Sequence, residues 1–269
     1  MLLQRVITAL VLLPLVLGPI IYLSTPWVYA VFSVIGLMAA WEWSALMGMT
    51  DAVKRASYLA LVAIALLGAW QIGTMGLGFW VLLAGAMWWI TAFSLVRGFP
   101  ENFRSHPWSV IKMGVAGLFM IVPALLGLAK LHQGGVLRIF FLFGIVWMAD
   151  IGAYFAGRAF GKHKLAPEVS PGKTIEGVIG GFIGAMLIVA PGPLVFCVGL
   201  FHWIPLVLLC VIAIGASIIG DLTESMFKRL RGVKDSGRLL PGHGGVLDRI
   251  DSVIAAAPVL ALGLDLLGI

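Results

Sequence analysis

Asp221, Glu224, Ser225 and Lys228 fall at i, i+3, i+4 and i+7 near the end of a long apolar run. If a helix continues through them, they share one face. Asp248, Asp251 and Ser252, at i, i+3 and i+4, share a second face where the next apolar run begins. Between the two faces runs a basic, glycine-rich segment: Lys228-Arg229, Arg231, Lys234-Asp235, Arg238 and Pro241-Gly242-His243-Gly244-Gly245. Clustered carboxylates in a poorly solvated place cannot all stay ionised without cations. Mg²⁺ suits such a place, since it takes one or two protein carboxylates and fills its shell with water and phosphate oxygens. Lys and Arg hold phosphate oxygens, and glycines let a ligand approach the backbone closely. Taken singly, the same residues read as ion pairs on a basic loop. Their concentration in residues 221–251 of a charge-poor chain favours metal-assisted chemistry on a phosphate compound. His243 reads equally as a base, a phosphate contact or a surface residue.

A second segment repeats the theme. Asp150, Tyr154, Gly157 and Arg158 fall at i, i+4, i+7 and i+8, one helical face. Gly161-Lys162, Lys164, Ser170-Pro171-Gly172-Lys173-Thr174 and Glu176 follow. The Gly-Lys-Thr triplet is not a P-loop, because Pro167 stands where the first glycine of that motif belongs and no soluble strand precedes it. A basic phosphate-binding loop remains the expectation.

The elements that must position these residues follow from composition. The chain has 269 residues, 61% hydrophobic and only 11% charged, against about 25% charged in soluble domains. Disordered chains, disulfide scaffolds and soluble nucleic-acid binders are excluded, and no nucleic-acid partner is expected. A membrane-spanning helix needs about 20 mostly apolar residues. Nine such spans are predicted, at 5–24, 27–48, 56–75, 78–97, 110–130, 137–157, 175–199, 203–221 and 250–268. The fold class expected is therefore all-α, a multi-pass protein of the cell (inner) membrane in contact with the lipid bilayer. With the N-terminus in the cytoplasm, every Lys and Arg from Arg5 onward falls on an inner connection except Lys130 and Arg138, as the positive-inside rule requires.

The whole of 1–269 reads as a single membrane domain. Residues 1–130 are expected to be a helical scaffold, and 137–269 the catalytic half with cytoplasmic loops 157–176 and 221–251. Glu42, between Trp41 and Trp43 inside the second span, is expected to hydrogen-bond to a neighbouring helix near the inner interface. Gly177, Gly180, Gly181 and Gly184 give small-xxx-small pairs that suit close helix packing in lipid. Cys197 and Cys210 sit in apolar sequence and read as small hydrophobes.

Residues 225–251 resemble the signature of the phosphatidate cytidylyltransferases, or CDP-diacylglycerol synthases, of bacterial type. Ser225, Lys228-Arg229, Lys234-Asp235, Pro241, His243-Gly244-Gly245, Asp248-Arg249 and Asp251 carry the resemblance with their spacing intact. Gly161, Ser170-Pro171, Lys173-Thr174, Glu176-Gly177 and Gly220-Asp221 extend it over the second half of the chain. The resemblance implies a nucleotidyltransferase of phospholipid biosynthesis that converts CTP and phosphatidic acid into CDP-diacylglycerol and pyrophosphate. It implies Mg²⁺ on Asp221 and Asp248, assistance from a monovalent cation such as K⁺, and a homodimer. The catalytic set expected is Asp221, Asp248, Asp251, Lys228, Arg229 and His243. The substrate-binding set is Asp150, Ser170, Lys173, Ser225, Lys234, Arg238, Gly244, Gly245 and Arg249.

Two other classes compete. A transporter would use intramembrane carboxylates for ion passage, but no internal repeat supports one. A CTP-dependent polyprenol or lipid kinase would transfer the γ-phosphate and leave CDP. The Asp-Gly-x-x-Ala-Arg motif of the CDP-alcohol phosphotransferases is absent.

Overall fold

The computed structural model describes residues 2–269; of residues 2–7 and 9 it describes the backbone only. Arg5, counted above among the inner basic residues, therefore has its side chain outside the described residues. The long helices are α1 (Leu2–Tyr22), α2 (Thr25–Leu46), α3 (Ala52–Thr74) and α4 (Gly78–Arg97), then α6 (Val110–Gln133) after the one-turn α5 (Glu101–Ser105). There follow α7 (Val136–Phe160), α8 (Ile175–Val189), the short α9 (Gly192–Val195), α10 (Trp203–Leu230) and α11 (Leu247–Leu267). Among the described residues eight helical segments are long and apolar enough to cross a membrane, and α1 adds a shorter apolar stretch, Leu10–Tyr22. The chain is a multi-pass helical membrane protein, and each predicted span has its helix.

Side-chain contacts fix which ends lie together. At one end, Thr8 Oγ1 donates to Pro241 O (2.9 Å), Arg231 Nε to Leu46 O (2.7 Å) and Arg229 Nε to Val169 O (3.1 Å). At the other, His132 lies between Thr25 Oγ1 (2.9 Å) and Ile20 O (3.0 Å), and Lys130 pairs with Asp265 at 2.9 Å. The two long charged segments thus meet at one end, as the alternation of spans predicts.

Two features position the site. First, α7 and α8 pack backbone to backbone. A Cβ on Gly152 would strike the Gly180 carbonyl, and one on Gly184 would meet Met148 O. In lipid, where apolar burial does not drive helices together, such contact is a main source of cohesion. Second, the 157–176 connection is not the loop that sequence suggests. It forms an antiparallel hairpin of β1 (Lys164–Ala166) and β2 (Ser170–Thr174), with Lys164 opposite Thr174 and Ala166 opposite Ser170. Thr174 ends the hairpin and starts α8, its hydroxyl accepting from Gly177 N at 3.0 Å. Glu176 closes the preceding turn by accepting from the Lys162 and His163 amides (3.1 and 3.2 Å) and pairing with His163 Nδ1 at 2.6 Å.

Candidate active site

Helix α10 runs without a break to Leu230, so Asp221, Glu224, Ser225 and Lys228 do share a face. Its last turn carries Lys228 and Arg229, where the helix dipole favours cations. Helix α11 begins at Leu247 and places Asp248 in its first turn. The two helices approach closely at Gly220, where a Cβ would collide with Asp251 O and Ala255 Cβ. The carboxylates of one helix are therefore brought against those of the other.

A cavity of about 500 Å³ opens beside this seam, between α7, β2, α8, α10 and α11. Asp150, Tyr154, Gly157 and Arg158 all line it, so the helical face read from spacing is the wall of the cavity. Lys173 from β2 and Asp221 from α10 meet there, Nζ to Oδ2 at 2.6 Å. Ser225 Oγ lies 3.4 Å from Asp221 Oδ1, too long for a strong hydrogen bond, which leaves that oxygen available to a ligand. Arg158 donates to Tyr154 Oη at 2.9 Å. A second, apolar cavity of about 570 Å³ lies behind the shared wall residues Val178 and Ile218, lined by Phe93, Phe182 and Leu165 among others.

One layer away from the polar cavity, the Lys228 ammonium pairs with Glu224 and with Asp248 Oδ1 (2.6 Å). The other Asp248 oxygen accepts from Ser236 N (2.9 Å), Ser236 Oγ (3.0 Å) and Gly245 N (2.8 Å). Asp251 is turned toward the same seam and accepts from its neighbour's amide, Ser252 N, at 2.7 Å. Five carboxylates (Asp150, Asp221, Glu224, Asp248 and Asp251) thus interact electrostatically around two lysines, Lys173 and Lys228. Acids crowded in this way cannot all ionise without further cations, so the cluster suits a cation or a cation-bearing ligand. No group of three or more His, Cys, Asp or Glu side chains is arranged as a ready metal cage among the described residues.

The other expected residues are distributed differently. Arg229 spends its Nε on Val169 O and so fastens the hairpin to α10. Ser170 pairs with Ala166 at the start of β2 and does not line the polar cavity. Lys234, Arg238 and Arg249 are exposed on the loop before α11 and at its start, with Arg249 Nε donating to His243 O at 3.0 Å. His243 sits in a turn closed by Leu240 and Gly244, its Nδ1 buried and without a hydrogen-bond partner. Gly244 adopts φ 82°, a left-handed conformation that favours glycine. Gly245 has no room for a Cβ, which would strike Ser236 Oγ. Sequence reasoning assigned no site role to Ser236 or to Glu224; the latter's position on the α10 face was the available signal.

The chain is similar to known proteins over almost its whole length. A model of the "Cytidylyltransferase family" matches residues 3–267. A phosphatidate cytidylyltransferase of Pseudomonas aeruginosa is 44% identical over 265 residues, covering 97% of this chain and 96% of that protein. One from Haemophilus influenzae is 36% identical over 284 residues, covering 96% of each. One from Brucella suis is 39% identical over 286 residues, covering 96% of this chain and 91% of that protein.

Proposed function

The chain belongs to the cytidylyltransferase family, and we propose that its cavity joins CTP to phosphatidic acid at the membrane surface, giving CDP-diacylglycerol and pyrophosphate. The observation that carries the reading is the cavity itself: a lysine–carboxylate pair, Lys173–Asp221, set among further acids at the charged end of a helical bundle. In the proposed reaction a phosphate oxygen of phosphatidate attacks the α-phosphorus of CTP. A new P–O bond forms, the bond to the β-phosphate breaks, and pyrophosphate leaves. The attacking phosphate is an anion at neutral pH, so no side chain need remove a proton from it. His243, placed in a turn outside the cavity lining, is then a loop residue and not a base.

The chain's own contribution is alignment and charge. Lys173, projecting from the hairpin, holds phosphate oxygens in the cavity, and Arg158 extends the cationic wall. The exposed Lys234, Arg238 and Arg249 form the approach for the triphosphate, and Lys228 behind them balances Glu224 and Asp248. The donor set also fits Mg²⁺. Asp221 presents a weakly engaged oxygen to the cavity and would hold the ion there, whereas Asp248, whose oxygens serve Lys228, Ser236 and Gly245, would join it only by releasing Lys228. When bound, Mg²⁺ supplies neutralisation of the phosphate oxygens. K⁺ and a homodimer are proposed with it on the resemblance to the family.

Purified protein in detergent, given CTP labelled with ³²P at the α-phosphate and phosphatidate, should transfer label to a lipid-soluble product and release pyrophosphate. EDTA should stop the transfer. With CTP labelled at the γ-phosphate instead, lipid label and CDP release would favour a CTP-dependent lipid kinase and overturn the reading.

A further inference from the structure

The N-terminal half contributes one buried acid to the far side of the charged seam. Glu42, on α2, is 2% exposed. Its Oε2 accepts from the Leu247 amide at 2.9 Å, at the first residue of α11. The same oxygen lies 3.2 Å from Ser236 Oγ, which in turn lies 3.0 Å from Asp248 Oδ2. One hydroxyl hydrogen therefore sits between two carboxylates, one from each half of the chain. Gly237 and Gly245 are backed onto Glu42, since a Cβ at either would run into its carboxylate. No Lys, Arg or His pairs with Glu42 among the described residues.

A buried acid in a membrane span is costly. Filling this space or holding α2 against its neighbours would not require one, because α2 is already tied to α6 by Trp43 Nε1 donating to Met113 O at 2.9 Å. What the carboxylate specifically provides is an acceptor for the backbone and hydroxyl of the segment that carries Asp248. Two further anchors on this segment, Arg231 to Leu46 O and Thr8 to Pro241 O, lie toward its exposed side. Glu42 reaches the buried side from the N-terminal half, and through Ser236 it is linked to Asp248 itself.

We infer that Glu42 is a positioning residue: through Leu247 N and the Ser236 hydroxyl it fixes residues 236–248, and with them the Asp248–Lys228 pair that backs the cavity. The catalytic part of this inference rests on the function proposed above; the ordering of the loop does not.

Two measurements on the full-length protein in detergent test it. The first is the rate of tryptic cleavage after Lys234 or Arg238. The second is kcat and KM for CTP and phosphatidate. Glu42→Ala should speed cleavage of this loop and lower kcat by about tenfold to a hundredfold with a smaller change in KM, as loss of a charged hydrogen-bond acceptor predicts. Glu42→Gln, which keeps an oxygen for Leu247 N, should restore most of kcat and protect the loop. Ser236→Ala should fall between, and the Glu42→Ala/Ser236→Ala pair should cost less than the sum of its singles, because the two share the hydroxyl contact. Near-normal kcat and cleavage in Glu42→Ala, additive losses in the pair, or a Gln variant as damaged as Ala would overturn the inference. If Glu42→Ala does not accumulate, Ser236→Ala decides: faster loop cleavage with lower kcat supports it, and wild-type values for both overturn it. A wild-type protein that makes no CDP-lipid would overturn the proposed function, while the cleavage rates would still judge the role of Glu42 in ordering the loop.

Discussion

The hairpin at 164–174 and the loop at 231–246 are both basic, rich in Gly and Pro, and placed at the same end of the bundle, yet they are held in different ways. The hairpin supports itself. Its strands pair, Lys164 Nζ donates to Pro171 O at 2.7 Å, and Arg229 grips Val169 O. Lys173 is left to project into the cavity. The loop's own backbone bonds are local, Leu240 N to Gly244 O (3.0 Å) and His243 N to Leu240 O (2.9 Å), and its buried side is ordered by side-chain carboxylates. Asp248 accepts from Ser236 and Gly245, and Glu42 from Ser236 and Leu247. Beside the hairpin, charge and architecture are separate. Beside the loop, the same acids supply both, so a substitution there should have two consequences instead of one.

The largest effects should expose that difference directly. Asp221→Asn and Asp248→Asn are each expected to remove turnover, to about a hundredth of wild type or less, since each deletes a negative charge proposed to hold the metal and orient phosphate. Only Asp248→Asn should also loosen the loop. An amide has one acceptor oxygen, so it can serve the loop donors or Lys228 but not both. Tryptic cleavage after Lys234 should therefore quicken in Asp248→Asn and stay at the wild-type rate in Asp221→Asn. Should the two acids share one metal cluster, the double variant will turn over no more slowly than either single one. Equal loop protection in both variants would break the comparison. Near-normal turnover of either at saturating Mg²⁺ would remove that residue from the metal site.

A smaller effect tests the hairpin. Lys173→Met keeps the length of the side chain but loses one charge-assisted contact, worth about 1.5–3 kcal/mol, or roughly tenfold to a hundredfold in kcat/KM. Because β1 and β2 pair through their backbones, the hairpin itself should persist, with no gain in cleavage at Lys162 or Lys164. Unchanged kinetics would return Lys173 to the basic residues that topology alone requires.

Legibility in the sequence followed the range of the interaction. Helical spacing depends on neighbours a few residues apart, so the spans, the Asp150–Arg158 cavity wall and the shared face of Asp221 and Lys228 could all be read. The hairpin could not, because Ser-Pro-Gly-Lys-Thr is poor strand material and its pairing is stabilised by Arg229, far along the chain. The Glu42–Ser236 contact joins residues 194 apart and leaves no periodic trace; the hydrogen bond to a neighbouring helix expected of Glu42 is the one from Leu247 N of α11, but its second partner in the loop was not legible. The exposed Lys234, Arg238 and Arg249 were expected to bind substrate, yet spacing gave no means of telling that they stand outside the cavity lining while Lys173 stands within it.

The smallest expected effect lies at the opposite end of the bundle. Asp265, near the end of α11, pairs with Lys130 of α6 at 2.9 Å, and both side chains are about a third exposed. It is a carboxylate–lysine pair between two elements, as Lys173–Asp221 is between β2 and α10, with similar exposure, but among the described residues no cavity containing further acids surrounds it. If ion pairing between elements were all that Asp221 contributes, Asp265→Asn should cost as much as Asp221→Asn. A partly exposed pair is worth only about 0–1 kcal/mol, and nothing links this one to the charged seam. Asp265→Asn should therefore keep kcat/KM within about twofold of wild type, a change no larger than that pair's loss predicts. Its thermal unfolding in detergent should be shifted only slightly. A loss of turnover comparable to that of Asp221→Asn would mean that Asp221 acts through its ion pair with Lys173 and not through the ligand it faces.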